Sequence, residues 1–339
     1  MSESVTISYD ELFSLVRDIL IRGHLSEAHA SAVARVISAG ERDACRSHGV
    51  YRLPWCLKSV EIGKVSPVAE PVIREDDTVI VRAHARWAYS CLAFERALPL
   101  LEEKAKRFGL AALVVNNCYH FSALWPEVEA LASRGLVAIA MNPSYVSVVP
   151  AGGTKPFLGT NPFAFAWPRP GKSPYVFDFA TSVVARGEIE LHRLEGKPIP
   201  LGWGIDSEGE PTTDASAALK GAMLTFGGHK GSALSTMIEL LGGILISDLT
   251  SKGATEFDAG AGAIPCHGEL ILTFDPEVFG GGKRGQNDQR AEDLFSQFAA
   301  QGARLPSQRR FEARAHSMLH GITLTSEVHQ QLRSLLLGS

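Results

Sequence analysis

No segment of the chain approaches the roughly 18 consecutive apolar residues that a membrane helix needs. The opening MSESVTISYDELF also lacks the basic and then apolar layout of a secretory leader. Cysteine is sparse, with Cys45, Cys56, Cys91, Cys118 and Cys266 scattered and no C-x-x-C pair among them. An odd, scattered set excludes a disulfide framework and zinc-cysteine spacing, and it suits reduced thiols in a cytoplasmic protein. Basic charge is not in excess either. A net charge of -4 argues against nucleic acid or an anionic membrane as the main partner. There is no internal repeat, no H-E-x-x-H among the 11 histidines and no G-x-S-x-G elbow. What is present, over 339 residues that are 45% hydrophobic, is enough apolar material for a large core divided into two domains.

Periodicity predicts helices at both ends and strands between them. Ser8-x-x-Glu11 reads as a capping box ahead of Leu12, Leu15, Val16, Ile19 and Leu20 at helical spacing. Further helices are expected over 26–41, 90–107, 232–246, 288–300 and 326–337. Short β-branched and aromatic runs predict strands over 78–83, 111–115, 137–141, 162–167, 175–179 and 269–274. Their irregular spacing does not support a βαβ alternation. We therefore expect an α/β protein in which residues 116–300 form an inserted domain, with 1–115 and 301–339 making a helical one.

The densest chemistry lies in Asp43-Ala-Cys-Arg-Ser-His-Gly-Val-Tyr-Arg52. His48 is suited to proton transfer near neutral pH, with Ser47 beside it to relay or orient that proton. Arg52 offers a rigid fork of donors that suits a carboxylate. The alternative reading is a polar helix exit with a capping serine and solvated arginines. A hydrolytic triad is also available in residue types, but adjacent Ser and His side chains point in different directions on a helix or a strand.

Two glycine motifs need separating. Gly280-Gly-Gly282-Lys-Arg-Gly285 matches G-x-G-x-x-G, yet Asp275-Pro-Glu-Val-Phe intervenes after the strand and no second parallel strand follows. A surface loop is expected there, not a dinucleotide turn. Phe226-Gly-Gly-His-Lys-Gly231 instead opens directly into a helix, where backbone N–H groups, His229 and Lys230 together suit an anion. It lacks the Walker A order, and a plain glycine turn before a helix is the competing account. Polar outliers also cluster at strand ends, among them His120-Phe-Ser122, Thr160-Asn-Pro162 and Asp178-Phe-Ala-Thr-Ser182. Together they read as the rim of one site.

The set Arg46-Ser-His-Gly-Val-Tyr-Arg52, Gly159-Thr-Asn-Pro162, Asp178-Phe-Ala-Thr-Ser182, Pro211-Thr-Thr-Asp214 and Gly227-Gly-His-Lys-Gly231 resembles the malate/L-lactate dehydrogenase-like family over nearly the whole chain. Within it the likeness is strongest to the Δ1-piperideine-2-carboxylate/Δ1-pyrroline-2-carboxylate reductases, which use NADPH to reduce cyclic imino acids. The resemblance implies a non-Rossmann cofactor domain on a mixed, largely antiparallel sheet, and a homodimer. It implies His48 as proton donor with Ser47 in the relay, and Arg52 and Thr160 on the substrate carboxylate, with Arg186 and Gly187 nearby. His120, Phe121, Ser122, Ala123, Leu124, Asp178, Phe179, Ala180, His229 and Lys230 would line NADPH. Arg304, Arg309 and Arg310 fall in the family's late arginine segment, where this chain has Pro306-Ser-Gln-Arg-Arg310 in place of the frequent Pro-Gly-Glu-Arg. No metal is implied.

One departure bears on the substrate. Many members that act on hydroxy acids read Ala-x-Gly-Lys after the Asp178 motif, whereas this chain reads Ala185-Arg-Gly-Glu188. A lysine there would stabilise a developing alkoxide. A carboxylate favours a cation, and a cyclic imine is reduced as its protonated iminium, so Glu188 joins Ser47 and His48 as an expected catalytic residue. The reading is an NADPH-dependent cyclic imine reductase. The alternatives are an NAD(P)-dependent 2-oxo acid dehydrogenase of the same family and a non-catalytic metabolite-binding protein.

Overall fold

The computed structural model describes residues 4–337. Strand β1 (Ser4–Ile7) leads into α1 (Tyr9–Arg22), α2 (Glu27–Arg42), two 3-10 turns over Arg46–His48 and Val50–Arg52, and α3 (Leu53–Glu61). Then come β2 (Val72–Arg74), β3 (Ile80–His84), α4 (Ser90–Phe108), β4 (Leu110–Tyr119), α5 (Trp125–Ala132) and β5 (Val137–Met141). β6 (Phe163–Trp167) and β7 (Tyr175–Phe179) precede a smaller lobe of α6 (Arg186–Leu194), β8 (Gly204–Ile205), β9 (Pro211–Thr212), α7 (Ala215–Lys220) and β10 (Ala222–Met223). α8 (His229–Glu239) runs on as a π turn over Leu240–Ile244, followed by α9 (Ser251–Asp258), β11 (Cys266–Phe274) and α10 (Pro276–Phe279). α11 (Arg284–Ala300), α12 (Gln308–His320), β12 (Ile322–Thr325) and α13 (Ser326–Leu337) complete the described chain.

The seven-stranded central sheet has the order β2-β3-β4-β11-β5-β6-β7. Only β3–β4 is parallel; the other five pairings are antiparallel. This is the mixed, largely antiparallel sheet the sequence implied. α4 and α5 cover it with Leu98, Leu101, Val128 and Leu131, which meet Leu113, Val115, Ala138 and Ile271 in one buried cluster. A second core joins α1 and α2 to Leu53, Tyr89, Phe121 and the C-terminal Leu324 and Leu332.

The capping box at Ser8 and Glu11 is present, and Ser26 caps α2. β5 and β7 match their expected bounds, while α8 begins at His229, three residues before the expected start. Gly280–Lys283 turns from α10 into α11, with Gly285 already in that helix, and is not a strand-to-helix phosphate loop. The boundary expected between residues 115 and 116 falls inside β4. The β4–β11 register shifts at that point, between His267 and Glu269, where a bulge opposes Asn116 and Asn117.

Candidate active site

Close backbone approach builds the Ser47–Arg52 cluster. A Cβ on Gly40 of α2 would lie 2.7 Å from the His48 carbonyl, and one on Gly49 would lie 2.2 Å from the Glu41 carboxylate. Both positions therefore require glycine if the 3-10 turns are to lie against α2. The space at Gly49 lets buried Glu41 accept the Val50 N–H at 2.9 Å, which pins the second turn. Ser47 Oγ then meets His48 Nδ1 at 3.1 Å, and Arg52 Nε donates to the Ser47 carbonyl at 2.7 Å.

His48 is half-buried, and burial followed by the positive charge of Arg52 pushes its pKa down to about 3, so the imidazole is neutral. Burial is the larger cause, and the guanidinium of Arg52 adds to it. Arg52 has no carboxylate partner among the described residues, and burial lowers its own pKa. A half-buried cation without a counter-ion beside a neutral imidazole suits an anion.

His120 lies behind this cluster. It is 5% exposed and held neutral mainly by burial, with His267, His48 and the Arg52 cation around it. Phe121 packs edge-on against Tyr89 with ring centroids 5.6 Å apart, and Leu124 is fully buried, so both serve the core. Ser122 is buried and Ala123 half-buried in the turn that leads to α5. Asp178 holds that turn from β7: one carboxylate oxygen accepts the Leu124 and Trp125 N–H groups at 2.7 and 2.8 Å. Its carboxylate sits at the positive end of α5, but burial outweighs those bonds and raises its pKa to about 6. Asp178 thus positions the His120–Leu124 turn. Phe179 beside it is exposed and stacks on Phe177, and Ala180 is half-buried at the strand end.

A second group forms around Thr160 and the start of α8. The Thr160 carbonyl accepts from the Thr181 N–H at 2.8 Å, and the Thr181 carbonyl accepts from Phe226 N–H at 3.1 Å. The Phe226 carbonyl in turn accepts the Gly231 N–H at 3.0 Å, where a Cβ would lie only 2.3 Å from that oxygen. Gly227 and Gly228 take positive φ, and His229 and Lys230 stand exposed on the first turn of α8.

The remaining expected site residues part company. Arg304 and Arg309 are exposed, on the loop before α12 and on its first turn. Arg310 is buried, ion-paired to Asp43 at 3.0 Å and Glu129 at 2.7 Å, and stacked over Trp125. Two carboxylates hold it, and with Arg314 it locks α12 to α2 and α5. Arg186 donates to the Leu219 carbonyl at 3.1 Å within the small lobe, where Gly187 is half-buried beside it. Glu188 is exposed on the first turn of α6 and makes no ion pair among the described residues, not even with Arg186.

Three groups went unseen in the sequence. Asn161, fully buried with φ at 35°, donates to Ser235 Oγ and Glu239 Oε1 and accepts from Ser144 N–H and Ser251 Oγ. It stood inside a quoted motif with a role as yet unread. Glu41 and the pair Glu127 and Glu269 are likewise buried. A lone glutamate in the apolar run Cys-His-Gly-Glu269-Leu-Ile-Leu was the one signal that could have marked the last of these.

Residues 7–333 match the malate/L-lactate dehydrogenase family model. The chain is 58% identical over 336 residues to a Delta(1)-pyrroline-2-carboxylate reductase of Pseudomonas fluorescens, covering 99% of this chain and 100% of that one. It is 54% identical over 332 residues to a Delta(1)-pyrroline-2-carboxylate/Delta(1)-piperideine-2-carboxylate reductase of Pseudomonas aeruginosa, covering 98% and 99% of the two chains. The crystal structure of delta1-piperideine-2-carboxylate reductase from Pseudomonas syringae pvar. tomato superposes with a TM-score of 0.94 at 39% identity, over 98% of this chain and 99% of that one. With this sheet order and these neighbours, the chain belongs to the malate/L-lactate dehydrogenase family.

Proposed function

We propose that the protein is an NADPH-dependent reductase of cyclic α-imino acids, converting Δ1-pyrroline-2-carboxylate to L-proline and Δ1-piperideine-2-carboxylate to L-pipecolate. The observation that carries it is Arg52, a half-buried guanidinium without a carboxylate partner beside the Ser47–His48 pair. Its Nε is used by the Ser47 carbonyl, which leaves both terminal amino groups for a bidentate substrate carboxylate. The arriving carboxylate offsets the charge that depresses His48, raising its pKa toward the range where it can carry a proton. Substrate binding thus readies the acid. The names borne by the relatives agree with this substrate class.

A nicotinamide cofactor, when bound, supplies hydride to the imine carbon. The residues fit such a group: an open glycine turn at the start of α8 and exposed Lys230, Arg304 and Arg309 suit its phosphates. Charge at these positions favours the extra phosphate of NADPH. Thr160 stands with the substrate carboxylate in this reading. Glu188, with no cation of its own, favours an iminium over an alkoxide. We further propose a homodimer. The test is NADPH absorbance decay with cyclic imines and with open-chain 2-oxo acids in parallel. Faster turnover of pyruvate or oxaloacetate than of either imine would replace this reading with the 2-oxo acid one.

A further inference from the structure

Glu127, Glu269 and His120 are 2%, 0% and 5% exposed, and one polar atom of each lies within 4.8 Å of the others. Neither oxygen of Glu269, nor Glu127 Oε2, nor His120 Nε2 has a hydrogen-bond partner among the described residues. No lysine or arginine there ion-pairs with either carboxyl. Two uncompensated carboxylates cannot both stay ionised in a dry site. The bulge at His267–Glu269 brings the second carboxyl to this place, a device frequent beside active sites.

From the geometry we infer that Glu127 and Glu269 form a buried acid pair that stays protonated at neutral pH and supplies a proton through His120 to the Ser47–His48–Arg52 cluster. This rests on the imine-reductase reading for its role, though not for its existence. As hydride adds to the carbon of the C=N bond, the π pair becomes the nitrogen lone pair and takes a proton from His48. His120 restores that proton and is itself restored by the acid pair, which recovers one proton from solvent before the next turnover. The spacing between His120 and the carboxyls is one that a bridging water closes.

The groups around the pair agree. β5 and β6 present no titratable side chain to α5, while Asp178 on β7 adds negative charge. On the other side stand His267, the thiols of Cys91 and Cys118, and, facing His120, His48 and Arg52. Burial, with repulsion between the two carboxyls, raises Glu127 well above the carboxylate range, and burial raises Glu269 to about 8. The two titrate as one coupled unit.

The test is infrared titration of the full-length protein together with kinetics of Glu127→Gln and Glu269→Gln. A protonated-carboxyl C=O band that persists at neutral pH, weakens on titration through about pH 8 and is smaller in either variant is expected. In both variants kcat should fall about tenfold or more with KM for the imino acid nearly unchanged, and the alkaline limb of the kcat profile should move. No such band in the wild type, or a stoichiometric divalent cation in the purified protein, overturns the pair. A band with unchanged pH profiles in both folded variants, or with no imine turnover by the wild type, overturns its role in the reaction.

Discussion

Arg52 Nε donates to the backbone carbonyl of Ser47 at 2.7 Å, so the residue that would hold the substrate also fixes the turn that presents the proton carrier. In the proposed reading, one guanidinium couples substrate binding to proton delivery. Arg52→Ala should cost about 1.5–3 kcal/mol of transition-state stabilisation, roughly 10- to 150-fold in kcat/KM. Arg52→Lys should recover only part of it, because a point charge cannot reproduce the fork. Steady-state kinetics on the cyclic imine decide this, and an unchanged Arg52→Ala would remove Arg52 from the substrate site.

Glu188 carries no partner to lose, so its replacement reports on charge alone. If Glu188 faces the substrate as proposed, Glu188→Lys should slow imine reduction about tenfold or more, near 1.4 kcal/mol of barrier. Glu188→Gln should fall between the two. Wild-type rates in Glu188→Lys would make this carboxylate a bystander of the surface.

Cofactor preference should rest on Lys230 and Arg309. Either residue changed to alanine should raise KM for NADPH about fivefold or more while NADH is little affected, since only the extra phosphate loses a charge-assisted contact. The effect should shrink as ionic strength rises. Equal losses with both cofactors would place these side chains elsewhere.

Acid stability follows from His48. Its folded pKa of about 3 lies below the unfolded value near 6.5, so the unfolded chain binds more protons between those limits. Stability from this group is complete above about pH 6.5 and is lost as the pH falls toward 3. Buried His29, His120 and His267 are depressed as well and act in the same direction. Calorimetric melting from neutral to mildly acidic pH should show Tm falling less in His48→Gln than in the wild type.

Asn161→Leu should destabilise by about 2–5 kcal/mol. It strands Glu239 Oε1, Ser235 Oγ and the Ser144 N–H in a buried site, and each lost partner costs about 1–3 kcal/mol. Urea unfolding measures this directly. A shift below about 1 kcal/mol would mean the neighbours re-pair among themselves.

The sequence by itself determined the elements whose signals are local. The Ser8 capping box, the apolar stripes of α1, α2 and α4, and the short strands β5 and β7 repeat with the period of their own backbone, so each can be read in place. The Ser47–Arg52, Thr160 and Asp178 motifs were legible as chemistry, and their order along the chain was enough to name a family. Only the tertiary structure decided what depends on residues far apart. Ser4 pairs with Thr325 across the whole chain, which no periodicity encodes. α12 was invisible because its buried face is Arg310 and Phe311, with ion pairs to Asp43 and Glu129 in place of an apolar stripe. His48 was lowered first by burial and then by the charge of Arg52, neither of which its place in the sequence announces. Glu127 and Glu269 lie 142 positions apart in sequence and meet only when α5 packs beside the bulge of β11. Charge and burial are properties of neighbours in space, and the chain alone does not state who those neighbours are.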